Sequence, residues 1–201
     1  MRSTLTLALV TLAAALGGCA QPRQPSSPAA GGPMGHGGPM SQAGPMGHGM
    51  MGRQMAVATL SPTQGHAVTG IVMFHAMGDH VMAHAHVAGL KPNAEHGFHL
   101  HEKGSCASAD GTSAGGHFNP AGAPHGPQDA AHHAGDMPAL KADANGVADV
   151  RFMLRGVSVG AGAADIVNRA VIVHAEPDDY KTQPTGNSGA RLACGVVAKH
   201  P

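Results

Sequence analysis

Alternation of apolar and polar residues is the feature that most constrains how this chain can fold. From Val147 to Leu154, apolar residues at the even positions alternate with Asp149 and Arg151, which is typical of a β-strand with one buried side. The preceding residues, 143–146, end in Asn-Gly and predict a hairpin turn, because this dipeptide favours the tight turns between antiparallel strands. The segment is therefore predicted to be a turn followed by a half-buried strand.

Three further runs are rich in β-forming residues: 68–75, 81–90 and 170–174. Clusters of Gly, Pro, Asn and Asp separate them, as expected for short strands joined by turns, and no segment keeps a helical period. Two long Gly-rich segments, roughly 103–140 and 175–191, predict irregular loops. We expect an all-β antiparallel sandwich or barrel that carries its chemistry on these two loops.

The N-terminal residues predict export. Residues 5–16 form an apolar run that is too short to span a bilayer and is typical of a signal-peptide core. The sequence Leu-Gly-Gly-Cys at 16–19 resembles the cleavage motif of bacterial lipoproteins, which implies a signal peptide of residues 1–18 and a lipidated Cys19. An ordinary secretory signal, in which Cys19 has no role, is the alternative.

Residues 19–55 predict a disordered tether. Gly, Pro, Ser, Met and His dominate the segment and charge is nearly absent, so it cannot bury enough apolar surface to fold. The hexapeptide Gly-Pro-Met-Gly-His-Gly occurs at 32–37 and again at 44–49. Thioether and imidazole groups suit copper, which predicts a copper-capturing arm, with compositional drift of a linker as the alternative. The candidate ligands of this arm are Met34, His36, Met46 and His48.

Residues 56–201 are long enough for one packed domain. The whole chain has twelve basic and twelve acidic side chains. Three of the arginines precede the domain and all acidic residues lie within it, so the domain has nine basic and twelve acidic groups, a formal charge of −3. Nucleic-acid binding is not expected, because no basic field is present. Attraction for an anion would have to be local.

Histidine is abundant, at 16 of 201 residues, and imidazole is a common metal ligand. His99 and His101 are two residues apart in an extended segment, so both rings can approach one ion. Further candidates follow in the chain: His117, His125, His133, Asp136 and His174. Three histidines and an aspartate within a short segment suit a closed zinc site. Four histidines suit copper.

In their order and spacing, these motifs resemble the copper/zinc superoxide dismutases that bacteria export. The segments that carry the resemblance cover most of 56–201: GFHLHE at 97–102, GHFNP at 116–120, HAGD at 133–136, VH at 173–174 and GNSGARLACG at 186–195. The resemblance implies an eight-stranded Greek-key β-barrel, an immunoglobulin-like sandwich with two long functional loops. This expectation agrees with the strand pattern.

The resemblance also implies one copper and one zinc ion per domain. The implied copper ligands are His99, His101, His117 and His174, and the implied zinc ligands are His117, His125, His133 and Asp136. A bridging His117 must be deprotonated at both nitrogens, which is reasonable only between two cations. His132 is the alternative to His133, whose spacing to Asp136 matches the family. Asp178 is expected to orient ligand histidines of both sites, with Asp179 as the alternative.

The implied reaction is dismutation of superoxide to dioxygen and hydrogen peroxide. Copper cycles between Cu(II) and Cu(I), while zinc has no redox chemistry. In the family His117 detaches from reduced copper, takes up a proton and donates it. Arg191 is expected to attract and dock the anion; a surface ion pair is the alternative. The alternative function is an envelope lipoprotein that binds or buffers copper with little catalysis.

The three cysteines indicate the cellular compartment in which the protein is expected. In an exported domain Cys106 and Cys194 are expected to form a disulfide, worth roughly 4–5 kcal/mol in the chain-entropy model. Lipidation accounts for Cys19. The expected location is the periplasmic side of a bacterial cell envelope, and Ala20 in place of Asp favours the outer membrane. The sequence does not distinguish between a homodimer and a monomer.

Several histidines in the early strands match no ligand of the family: His66, His75, His80, His84 and His86. His84 and His86 are two residues apart and share a face. A second copper or zinc site there and ordinary exposed strand positions are the two alternatives. We expect His96, beside Gly97, to have a structural role.

Overall fold

The computed structural model describes residues 54–201, which form nine β-strands and one short 3₁₀ helix, Thr112–Ala114. The strands are β1 (Met55–Pro62), β2 (Thr69–Ala76), β3 (His80–Ala88), β4 (Glu95–His96), β5 (Phe98–His101), β6 (Leu140–Lys141), β7 (Ala148–Arg155), β8 (Ala170–His174) and β9 (Arg191–His200). Within this range no helix is long and apolar enough to cross a membrane. The predicted signal peptide, Cys19 and the tether residues Met34, His36, Met46 and His48 lie outside the described residues.

Strand alternation follows the sequence closely. In β3 every second residue, from Val81 to Val87, is buried, and the residues between them are half-buried or exposed. In β7 the even-numbered residues face inward while Asp149 and Arg151 are exposed. One buried face per strand is what a period of two produces when a sheet covers a core on one side. The all-β prediction is confirmed.

Seven strands form one curled antiparallel sheet in the order β5-β8-β9-β1-β2-β3-β7, and β4 pairs with β6. Only Gly97 separates β4 from β5, so counting them as one strand gives the expected eight. The connections from β3 to β5 and from β7 to β8 each cross from one side of the sheet to the other, between an edge strand and the strand next to the opposite edge. Such crossing connections make the fold a Greek key.

The core is built mainly from small aliphatic residues, in keeping with the absence of Trp from the chain. Its largest buried apolar side chains include Phe74, Phe98, Leu100 and Leu140. The first long loop contributes Met137 and Phe118 to the same cluster. That loop is therefore anchored on the barrel by apolar contacts, which fixes the functional side chains it carries.

The two long connections fall close to their predicted positions, at residues 102–139 and 175–190. The turn before β7 is also confirmed, with Gly146 at a φ of 75° and the Asp143 carboxylate accepting from the backbone of Asn145 and Val147. Strand β1 was not predicted. Two of its buried positions hold alanine, Ala56 and Ala58, and small residues give a weak alternation signal.

Candidate metal centre

The first long loop folds back onto β5 and pairs with its open edge. Leu100 donates a backbone hydrogen bond to Gly135 O and accepts one from Phe118, both 2.8 Å long. Bridge pairs form between His99 and Asp136 and between His101 and His117. On its other edge β5 pairs with β8, which ends at His174. Residues distant in sequence are thus brought beside the His-x-His pair by ordinary backbone pairing.

Four buried histidines meet at this place, each offering a ring nitrogen within 4.8 Å of the others. They form the four-histidine group: His99, His101, His117 and His174. The Nε2 atoms of His101 and His174 are 3.4 Å apart, and the rings of His99 and His117 stack with centroids 4.0 Å apart. This is the set that the sequence predicted for copper.

A second buried group shares one member with the first. This histidine–aspartate group consists of His117, His125, His133 and Asp136, with its ligand atoms also within 4.8 Å of one another. Asp136 Oδ1 is 2.8 Å from His117 Nδ1, 3.0 Å from His125 Nδ1 and 3.3 Å from His133 Nδ1. Three nitrogens and a carboxylate therefore converge, as the sequence predicted for zinc.

In four of the rings, the nitrogen that points away from its group is held by a fixed partner. His101 Nδ1 donates to Gly115 O over 2.9 Å, and His174 Nδ1 donates to Gly189 O over 3.3 Å. His99 Nε2 and His125 Nε2 bond the two oxygens of Asp178, at 2.6 and 2.9 Å. Such partners fix the tautomer and orientation of a metal-binding imidazole.

Two inward nitrogens have no such partner. His99 Nδ1 and His117 Nε2 are buried without a hydrogen bond to any described residue. Because buried polar atoms are normally satisfied, these orphaned nitrogens fit ligands of a cation. The donor sets also fit, since imidazole suits copper and zinc and three imidazoles with one carboxylate make a closed zinc site.

Burial lowers the pKa of several rings in the two groups. It lowers the pKa of His99 and of His101 well below the usual range, and it lowers the pKa of His174 to about 4. Burial alone would raise the pKa of Asp136, but the hydrogen bond with His117 and the charges of neighbouring histidines lower it to about 2. Near neutral pH His99, His101 and His174 are therefore neutral and the Asp136 carboxylate is ionised, which are the metal-binding forms.

For two pairs of neighbouring residues, Asp178/Asp179 and His132/His133, the sequence did not decide which member belongs to the site. Asp178 is buried and contacts a ring in each group, whereas Asp179 is exposed and bonds the backbone of Lys181 and Thr182 in its own turn. His133 is buried within the second group. His132 is half-buried and belongs to neither group, with its Nδ1 2.8 Å from Ala130 O.

Two residues that support these positions were not predicted from sequence. The side-chain amide of Gln183 accepts from the backbone N–H of His125 over 2.8 Å and donates to its carbonyl over 2.9 Å. Gly186 has a φ of +64°, and a Cβ there would overlap the Asp178 carboxylate. A glycine in a turn signals a positive φ, but neither contact has a local sequence signature.

Arg191 lies beside the four-histidine group. Its guanidinium donates to Gly111 O and Gly115 O, both at 2.7 Å. Burial lowers its pKa, yet a guanidinium remains protonated. With His101 and His174 it lines a shallow cavity of about 180 Å³. Gly115 O accepts from Arg191 and from His101, so one carbonyl links the cation to a ring of the group.

The predicted disulfide is present. Cys106 of the first long loop is joined to Cys194 of β9, which ties that loop to the strand that begins with Arg191. Among the other histidines, His96 is buried and donates to the carbonyl of His174 over 2.8 Å, a structural role as expected. His84 and His86 both bond Asp149, at 2.9 and 3.1 Å.

Residues 68–197 match the model of the copper/zinc superoxide dismutase (SODC) family. The chain belongs to this family. A copper/zinc superoxide dismutase of Aquifex aeolicus is 41% identical over 124 residues, covering 58% of this chain and 71% of the relative. Copper and zinc are therefore the cofactors, and the two buried groups are the places that could hold them.

The chain is also similar to superoxide dismutase-like proteins. A superoxide dismutase-like protein of Bacillus subtilis is 44% identical over 119 residues, covering 57% of this chain, and the chain spans 61% of that protein's length. A crystal structure of a SOD-like protein from the same organism matches with a TM-score of 0.64 at 38% identity, covering 70% of this chain and 96% of that one. These matches show the shared barrel.

Proposed function

We propose that this chain catalyses the dismutation of superoxide, in which two superoxide anions and two protons give dioxygen and hydrogen peroxide. The observation that carries the proposal is the pair of buried groups that share His117, with Arg191 beside the first. Copper bound in the four-histidine group would supply the one-electron chemistry, and zinc in the second group would supply none.

Arg191 is proposed to attract and orient the substrate. The domain is acidic overall, with nine basic and twelve acidic side chains, so a general attraction for an anion is absent and a local one is needed. The two backbone carbonyls that accept from the guanidinium hold it at the mouth of the cavity lined by His101 and His174. A guanidinium held in this way can dock a small anion next to those rings.

His117 is proposed to carry a proton. Its Nδ1 is 2.8 Å from Asp136 of the histidine–aspartate group, and its other nitrogen, Nε2, is buried without a hydrogen bond to any described residue. Nε2 can therefore take up a proton and pass it to the reduced substrate without rotation of the ring. A zinc ion held by His125, His133 and Asp136 would keep the opposite nitrogen in place.

Asp178 is proposed to position both groups at once. It binds His99 with one oxygen and His125 with the other, so a shift of this carboxylate moves a ligand of each ion. Every side chain of the proposed centre comes from one chain. The reaction therefore suits a monomer as well as the homodimer that the sequence left open.

We further propose that the protein works on the periplasmic side of a bacterial cell envelope, anchored through Cys19 and protecting the envelope from superoxide formed outside the cytoplasm. The Cys106–Cys194 bond supports an oxidising compartment. A Cys19→Ser variant should move from the membrane fraction to the soluble fraction of cells. Retention in the membrane fraction would contradict lipidation of Cys19.

The activity is tested by following superoxide decay with the full chain loaded with copper and zinc. The wild-type chain should turn over superoxide, and His174→Ala should lose that activity together with its copper. His132→Ala is the matched control, since it removes a histidine that belongs to neither group, and it should retain both the activity and the copper. A wild-type chain that holds both metals but does not turn over superoxide would contradict dismutation and favour the copper-binding lipoprotein.

A further inference from the structure

The outer face of the large sheet carries a row of methionine and histidine. In the strand register Met55 pairs with His200 of β9 and His75 of β2, His75 pairs with Met82 of β3, and Met82 pairs with Met153 of β7. Directly paired residues of antiparallel strands project on the same side of a sheet. In spatial order, this Met/His row is His200, Met55, His75, Met82 and Met153.

The row lies on the solvent side of the sheet. The neighbouring row, one residue along each strand, pairs Ala56 with Phe74 and Phe74 with Ala83, and these three side chains are fully buried. Side chains alternate between the two faces, so the Met/His row points outward. Accordingly Met153 is 41% exposed. Met55, His75 and Met82 are half-buried.

The composition of the row is unusual for an outward face. The chain has 12 Met and 16 His among 201 residues, so five positions taken at random would hold about one of them. All five positions are occupied by these two residue types. Outward strand positions are normally polar or charged, whereas three of these five positions hold methionine. The row therefore departs from the usual composition of an outward face.

His75 is the free imidazole of this face. The rings of His84 and His86 are both held by Asp149, and His80 is 2.8 Å from Asp79. Within residues 54–201 no hydrogen bond or ion pair engages the ring of His75. It lies between two methionines on adjacent strands, whose Cβ atoms are expected about 5 Å from its own.

We propose that the Met/His row is an accessory copper(I) site, with Met55, His75 and Met82 as its ligands. Soft thioether sulfur favours Cu(I) over Zn(II) and harder cations. Methionine has a flexible side chain, so the two sulfurs can close on an ion beside the imidazole. Met153 offers a further thioether. The site is solvent-accessible and can exchange its ion, unlike the two buried groups.

Silver(I), a redox-inert probe for thioether sites, tests the ligands directly. The full chain, with copper and zinc loaded and reduced, is labelled at the methionine methyl groups and titrated with Ag(I). The methyl signals of Met55 and Met82 should shift with the first equivalents. Met77, which is 39% exposed in the turn after β2, should not shift with them. Unmoved signals of Met55 and Met82 would overturn the proposal.

A competition titration tests the affinity. Cu(I) is withdrawn from a chromogenic chelator by the loaded wild-type chain, by Met55→Leu/Met82→Leu, and by the control Met77→Leu. Leucine keeps the apolar volume, and all three chains share the same residues 19–54. The double variant should bind one fewer Cu(I), or bind it at least about tenfold more weakly, with unchanged superoxide turnover. The control should match the wild type.

One outcome would overturn the accessory site: a double variant that binds the same number of Cu(I) ions as wild type with the same affinity. If that variant also shows altered self-association by sedimentation, this face is an interface between copies of the chain instead.

Discussion

Two regions of the barrel concentrate metal-binding side chains, and they differ in how those side chains are held. Around β5 and β8 every ring of the two groups is buried, and four of the six donate or accept through an outer nitrogen as well. On the outer face, the Met/His row is solvent-accessible and its His75 has no hydrogen bond within residues 54–201. Fixed rings favour a defined coordination geometry, whereas free thioethers adapt to a soft ion.

The two regions also differ in their effect on the free energy of folding. Burying a neutral imidazole without a partner for each nitrogen is unfavourable. The buried groups therefore make the metal-free protein less stable, and a bound metal ion would remove part of this destabilisation. The Met/His row imposes no such cost, because neither of its two imidazoles is fully buried. The buried centre should therefore affect stability and activity strongly, and the outer face should affect neither.

The largest effect is expected from the ligand that both groups share. Changing His117 to Ala removes a ligand from each group, so both metals should bind far more weakly, by more than the roughly 10- to 100-fold cost of losing an outer partner. Metal content by mass spectrometry and superoxide turnover should both fall close to background. If one metal stays fully bound in His117→Ala, then His117 is not shared.

The metal-free protein should lose stability in mild acid. The pKa of His174 is about 4 in the folded protein and near 6.5 in the unfolded chain, so the unfolded state binds more protons between these values. The contribution is fully present above pH 6.5 and is lost as the pH falls toward 4, amounting to roughly 3 kcal/mol for this ring. Urea unfolding of the metal-free chain at several pH values measures it. A flat profile between pH 7 and 4 would contradict burial of these rings.

Replacing Asp178 should weaken metal binding more than replacing its neighbour Asp179. Asp178→Asn weakens the partner of one ring in each group, and we expect roughly a 10- to 100-fold loss of metal affinity. Asp179→Asn is the matched control, because Asp179 is exposed and bonds only within its own turn. Competition with a metal chelator distinguishes the two variants. Equal losses in both would contradict the assignment of Asp178.

Arg191→Ala should produce the smallest of these changes. Turnover should fall by about tenfold and depend less on salt, because a local positive charge has been removed. The content of copper and zinc should be unchanged, since Arg191 is not a member of either group. Arg191→Lys keeps the charge and should recover part of the rate. Unaltered turnover in Arg191→Ala would make this residue a structural link between the loop carbonyls.

Much of the buried centre could be predicted because its residues lie in short motifs. The His-x-His of β5 and the spacing of His133 to Asp136 are local patterns, and the strand period follows from one-sided burial. The hydrogen bonds to Gly115 O and Gly189 O and the clamp formed by Gln183 could not be predicted. They depend on how loops distant in sequence fold against each other.

The Met/His row illustrates the same limit. Its members are spread along the chain from residue 55 to residue 200, and none stands in a motif. They form a row only because the register aligns five strands, and a shift of one residue in any strand would turn its member inward. Strand β1, which supplies Met55, was itself not predicted.

Anomalous diffraction from a crystal of the metal-loaded protein tests the central claim most directly. Data collected at the copper and zinc absorption edges should show one copper within the four-histidine group and one zinc within the histidine–aspartate group, with Nε2 of His117 on the copper and Nδ1 on the zinc. A single ion bound by both groups, or two ions of which only one contacts His117, would contradict the shared centre.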